Sequence, residues 1–320
     1  MRNVLTVLGL VLLGACAAPS TAEPTKQKPK ATTSSPTDPS DADPSDPSMS
    51  SPAPGATDAG PRKGIEAFPG SKIFMPSTTP APGIVMLHGS EGGSAVYIEQ
   101  LAAQMAKEGF VVVTFCWFGC PGRPDKILRI PLESVIDVGQ WLAGSPDVAG
   151  GKVGLFGWSR GAELSLLVTS LVDTAPFRAV AVHAPSDTVV SAFDPATENN
   201  PPDYGGITEP DATGKIIPAP SWTWKGQPLF GEPTADFNVP GPKIAVASYH
   251  GPVYVSQGES DEVWPVARGR AVVAARDDAV PGLFTQSHFF PGEGHVLQQP
   301  ADIAARETEV ATFFHGKLAP

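Results

Sequence analysis

Gly157-Trp158-Ser159-Arg160-Gly161 sets a serine between two glycines, after the run K-V-G-L-F and before the apolar stretch A-E-L-S-L-L-V. In a strand, sharp turn and helix, that spacing holds a serine hydroxyl out at the carboxyl edge of a sheet. Glycines are needed where the turn packs against neighbouring strands. A hydroxyl is a weak nucleophile until a base takes its proton, and the base must itself be oriented. The order serine, acid, histidine directs attention downstream. Asp261 lies in V-Y-V-S-Q-G-E-S-D-E-V-W-P and His295 in F-F-P-G-E-G-H-V, each just after an expected strand. Glu259 and Glu262 are rivals of Asp261 for the acid. His88 sits at a strand end and is read as shaping its turn. His183, His250, His288 and His315 carry no motif and read as surface or satisfied core.

Acyl chemistry also needs N–H donors for a tetrahedral oxyanion. One candidate is the backbone N–H of Arg160. The second comes from His88-Gly89-Ser90-Glu91-Gly92-Gly93, at Ser90 or its neighbour Glu91. Trp117, Phe118 and Trp158 adjoin strand ends and are candidates for the walls of an apolar acyl pocket, joined by Trp222 and Trp224. Core packing is the competing reading of the first three. Arg160 and Glu163 stand at i, i+3 spacing and can pair. The constellation calls for no metal and no cofactor, and its partner is a small-molecule acyl ester or thioester.

Such side chains must be gathered by a sheet. Apolar or β-branched runs at 83–87, 110–115, 152–156, 178–182, 252–256 and 283–290 predict strands. Helical spacing predicts helices at 98–105, 132–142, 162–172, 265–275 and 303–314, the third apolar almost all round. This alternation implies an α/β class with a mostly parallel sheet covered on both faces. Residues 184–240 break the rhythm, being rich in Pro, Gly, Asn and Asp, and are expected to form a cap or lid.

Before this domain the composition changes. Residues 17–63 contain 10 Pro and 14 Ser or Thr, and Met49 is their only large apolar side chain. A stretch so poor in apolar surface cannot offset its ordering entropy and is expected to be a disordered tether. Residues 1–15 read as a secretory signal, with Arg2 ahead of a short apolar run. L-G-A-C resembles a lipobox, which implies acylation of Cys16 and anchoring to a membrane. Ala17 after the Cys favours the outer membrane within that pattern, so the chain is expected to be an exported lipoprotein, periplasmic or on the cell surface. The formal charge of −11 falls on residues 64–320, since residues 1–63 hold 6 basic and 6 acidic groups. A surface of that sign disfavours nucleic acid. Cys116 and Cys120, in C-W-F-G-C, are then either bridged or two buried thiols.

Six stretches in one order carry a family resemblance: H-G-S-E-G-G; C-W-F-G-C-P-G-R-P with I-P-L-E-S-V; V-G-L-F-G-W-S-R-G-A-E-L; S-W-T-W-K-G-Q-P-L; G-E-S-D-E-V-W-P; and P-G-E-G-H. From about residue 82 to 315 the chain resembles the C-terminal catalytic domain of the acyl-CoA thioesterase and bile acid-CoA:amino acid N-acyltransferase family. The resemblance implies an α/β-hydrolase fold, related to dienelactone hydrolases, over residues 64–320. It also implies a nucleophile at Ser159, with Asp261 and His295 at the acid and base positions. The activity it implies is acyl transfer from a thioester or ester to water, or in some members to an amino acid. Eukaryotic members carry a β-sandwich domain where this chain has its Pro-rich segment. An exported enzyme would not meet cytosolic acyl-CoA, although Arg123, Lys126, Arg129 and Lys225 offer local positive charge. The alternatives are a carboxylesterase or dienelactone-hydrolase-like enzyme on an extracytoplasmic ester and, in another class, a non-catalytic binding lipoprotein on the same scaffold.

Overall fold

The computed structural model describes residues 64–93, 95–172, 176–197, 205–231, 241–279 and 282–319. The expected signal, the tether and Cys16 lie outside the described residues.

The central sheet is built from β1 (Lys72–Phe74), β2 (Ala81–Leu87) and β3 (Val111–Phe115), then β5 (Val148–Trp158) and β6 (Phe177–His183), and finally β11 (Val253–Gly258) and β12 (Thr285–Phe290). Their order is β1-β3-β2-β5-β6-β11-β12, and every neighbouring pair is parallel except β1 with β3. This is the α/β-hydrolase architecture the resemblance implies, a mostly parallel sheet flanked by helices. The helices are α1 (Val96–Lys107), α2 (Glu133–Ala143), α3 (Arg160–Leu171), α4 (Ala267–Ala279) and α5 (Pro300–Leu318).

Alternation along the strands sorts the core into two layers. Val85, Val113, Leu155, Val182 and Val255 pack with residues of α2 and α3 on one face. Met86, Val112, Phe156, Ala181 and Tyr254 pack with α1 and α5 on the other. Residues 160–169 of α3 are buried all round, in keeping with a helix apolar on nearly every side, and the burial extends to the polar Arg160, Glu163, Ser165 and Thr169.

The excursion of residues 184–240, expected as a cap or lid and showing no clear period in sequence, carries short strands. Its described parts hold β7 (Thr208–Pro210), β8 (Ile216–Pro218), β9 (Trp222–Trp224) and β10 (Gln227–Leu229), and β9 pairs in parallel with β4 (Ile130–Pro131). Strands of two or three residues carry no period for a sequence reading to find. Residues 198–204 and 232–240 of the excursion lie outside the described residues.

Candidate active site

β5 delivers Ser159 into the turn before α3. Its backbone is at φ 53° and ψ −119°, a region that L residues with side chains avoid. Close packing enforces that turn. A Cβ on Gly157 would collide with the carbonyl oxygen of Gly161, and one on Gly161 with that of His88. The Ser159 N–H donates to His183 O at 3.0 Å, tying the serine turn to β6.

The other two members come from adjacent strands. β11 and β12 run in register as far as Gly258 beside Phe290, so the loops that follow lie side by side, joined by Glu259 N–H to Phe290 O at 2.9 Å and Ser260 N–H to Glu293 O at 2.8 Å. His295 Nε2 is 2.9 Å from Ser159 Oγ, and Nδ1 is 3.0 Å from both Asp261 oxygens. Asp261 also accepts from Gln257 Nε2 at 2.9 Å, from Val263 N–H at 2.9 Å and from Trp264 N–H at 2.8 Å. Burial opposes ionisation of Asp261, but the hydrogen bond and charge of His295, with the Trp264 and Gln257 donors, hold its pKa below the ordinary carboxylate value. Its rivals are placed elsewhere. Glu259 pairs with Arg270, and Glu262 Oε2 accepts the backbone N–H of His295 at 3.1 Å. A relay so arranged can take the serine proton as Oγ attacks an acyl carbon.

The loop after β2 lies against the serine: a Cβ on Gly89 would stand 3.2 Å from Ser159 Cβ. Among the described residues the Ser90 N–H makes no hydrogen bond. Glu91 is placed by its side chain, a role the sequence did not signal. Its carboxylate accepts from the Gly89 N–H at 2.9 Å and from the Tyr97 hydroxyl, which also receives that N–H at 3.1 Å. Burial lifts the pKa of Glu91 against the lowering effect of Tyr97, the Glu91 and Gly89 amides and His295. Arg160 is the first residue of α3, so its N–H has no carbonyl one turn back within the helix.

The expected aromatic pocket is corrected in part. Trp117, Phe118 and Trp222 are at most 1% exposed; Trp117 packs at a tilt against both Phe118 and Trp222 and stacks on His88. They are packing beneath the site rather than walls of an open cavity, because each ring is covered by its neighbours. Trp158 is buried on the opposite face, between Tyr97, His183 and Arg306, and Trp224 is half-buried beside Lys225. Cys116 and Cys120 are joined by a disulfide. The loop it closes meets the loop after β2 through Gly93 N–H to Phe118 O at 3.0 Å. Lys126 pairs with Asp194 at 2.6 Å and Arg129 with Glu209 at 2.6 Å, so both basic groups fasten the excursion. Among the described residues no three His, Cys, Asp or Glu side chains gather as a metal site.

Comparison with known proteins gives two kinds of likeness. No family model matches the chain. Acyl-coenzyme A thioesterase 5 of Mus musculus is 37% identical over 101 residues, 31% of this chain and 23% of that protein. Acyl-coenzyme A thioesterase 1 of Homo sapiens is 32% identical over 103 residues, 32% of this chain and 24% of that protein. Acyl-coenzyme A amino acid N-acyltransferase 1 of Mus musculus is 30% identical over 97 residues, 30% and 23% of the two chains. The matched stretch thus spans about a quarter of these relatives. Among solved structures, Est1E from Butyrivibrio proteoclasticus superposes with a TM-score of 0.53 at 13% identity, over 78% of this chain and 94% of that one. A puromycin-hydrolyzing peptidase of Mycobacterium tuberculosis gives 0.54 at 17%, over 78% and 37%. The structural likeness shows the α/β-hydrolase fold, and the sequence likeness is to acyl-CoA thioesterases and an N-acyltransferase over about 100 residues.

Proposed function

We propose that this protein is a serine acyl hydrolase that cleaves an ester or thioester through an acyl-enzyme on Ser159. The observation that carries the reading is the continuous relay Ser159 Oγ, His295, Asp261 at 2.9 and 3.0 Å, mounted on a strained turn. Ser159 Oγ attacks the acyl carbon while His295 Nε2 takes its proton, and the oxygen that gains charge is held by the N–H groups of Ser90 and Arg160. Collapse breaks the bond to the alcohol or thiol, which leaves with the proton from His295. Water then attacks the acyl-enzyme and gives one proton to His295, Ser159 Oγ regains that proton as the bond to the acyl carbon breaks, and the carboxylic acid released loses its own proton to solvent. Asp261 holds the imidazole in the tautomer this sequence needs and stabilises its charged form.

Export and anchoring at Cys16 belong to the same proposal, supported by the signal-like residues 1–15 and L-G-A-C. Within it, an ester of the carboxylesterase or dienelactone-hydrolase kind is favoured over acyl-CoA. Two of the four basic residues that could meet a polyphosphate, Lys126 and Arg129, are paired with Asp194 and Glu209. A panel of neutral esters, simple thioesters and acyl-CoAs of graded chain length tests the reading. The expected result is turnover of neutral esters and simple thioesters above acyl-CoA, abolished in Ser159→Ala. No turnover across the panel, or equal turnover by Ser159→Ala, contradicts it.

A further inference from the structure

The two oxyanion donors stand on separate elements, Ser90 on the loop after β2 and Arg160 at the start of α3, so something must fix their separation. Two fully buried indoles bridge them. Trp222 Nε1 donates to Glu163 Oε1 at 2.6 Å, in the first turn of α3. Trp117 Nε1 donates to His88 O at 3.1 Å, two residues before Ser90. The two rings pack with centroids 5.3 Å apart.

Glu163 is the hub on the α3 side. Its Oε1 also accepts the Val190 N–H at 2.9 Å, and its Oε2 is 2.8 Å from Arg160 Nη1. The Arg160 guanidinium lies over the Trp222 ring at 5.1 Å and donates to Val190 O and Ser191 O, each at 3.3 Å, and to Ser221 Oγ. Burying such an ion pair is a poor source of stability, since desolvation offsets much of the attraction. What the arrangement supplies is a fixed geometry: without the Trp222 N–H, Glu163 Oε1 loses one donor and keeps the Val190 N–H, and without the Trp117 N–H, His88 O loses its indole bond.

We propose that Trp117, Trp222 and Glu163 are positioning residues that set the spacing of the Ser90 and Arg160 N–H groups, with the excursion contributing Trp222 as one arm of the brace. The proposal rests on the acyl-hydrolase reading of Ser159. It assigns the excursion strand β9 a part in the chemistry of α3, besides covering it.

The test uses the full chain with Trp222→Phe, Trp117→Phe, the double variant and Glu163→Gln, each phenylalanine keeping a ring and losing the N–H. For a neutral ester, kcat is expected to fall by about tenfold to a hundredfold with KM changed by less than about threefold. Affinity for a trifluoromethyl ketone, which forms a bound oxyanion, is expected to fall in step with kcat. The double variant is expected to lose little more than the worse single, because both indoles serve one spacing. Should one variant fail to fold, the other tryptophan and Glu163→Gln carry the same readouts. Folded variants with wild-type kcat and ketone affinity, or with a raised KM alone, overturn the assignment. A wild type whose turnover survives Ser159→Ala would instead remove the underlying reading.

Discussion

At Asp261 five hydrogen-bond contacts converge on one carboxylate, two from the His295 ring and three from the surrounding chain. Under the proposed mechanism its charge selects the imidazole tautomer, a role that an isosteric amide cannot fill. Asp261→Asn is therefore expected to lower kcat for ester hydrolysis by about 10⁴-fold with the fold intact. Glu259→Gln, which removes only an exposed pairing with Arg270, is expected to stay within about twofold of wild type. Steady-state kinetics of the two variants check this, and equal damage from both would contradict it. Ser159, Asp261 and His295 were legible because each follows an apolar run inside a short motif. The choice among Glu259, Asp261 and Glu262 was open in the sequence, since three acids within four residues differ only in where the turn aims them. The Glu91 carboxylate was not legible as a neighbour of Gly89 and Tyr97, because that contact depends on how the loop folds back on α1.

Strand ends carry two histidines whose burial has a measurable consequence. His88 follows β2 and gives its Nδ1 to Gly89 O at 2.9 Å, and burial lowers its pKa from 6.5 to about 4 against the raising effect of that bond. His183 ends β6 with Nδ1 2.9 Å from Ser256 Oγ, and burial lowers its pKa also, with Arg306 and His295 adding to the effect. Unfolded, both imidazoles take a proton near the ordinary value, so below about pH 6.5 the unfolded chain binds more protons than the folded one, an interval that for His88 reaches down to about pH 4. The stability that comes from keeping them neutral is present above that interval and is lost as the pH falls through it. Chemical denaturation is expected to show unfolding easier by about 2 kcal/mol at pH 5 than at pH 7 on account of His88, a difference absent in His88→Gln, with His183 acting in the same direction. Equal pH dependence in wild type and His88→Gln would contradict the account. The main helices and parallel strands were legible because their apolar runs are long. β1, β4 and the excursion strands β7–β10 were not, because two or three residues fix no register until a partner supplies it.

Across the whole molecule, one parallel sheet brings loops from β2, β5, β11 and β12 to its carboxyl edge, which is where such sheets gather a site. That convergence follows from the parallel sense of the strands, which the alternation of strands and helices implied; their order across the sheet was not legible in the sequence. The aromatic residues were harder to place, because a tryptophan beside a strand end packs a core or lines a pocket with the same local sequence. Trp117 and Trp222 became a buried brace only when β9 paired with β4 and set one indole against the other. The central claim is that Ser159 is a nucleophile activated by His295 and Asp261, and a serine-directed fluorophosphonate reads this on the intact protein by mass. One adduct, located on the peptide that contains Ser159, absent in Ser159→Ala and formed far more slowly in His295→Ala, is the predicted result. No adduct on the wild type, or an undiminished adduct on Ser159→Ala, would contradict the claim.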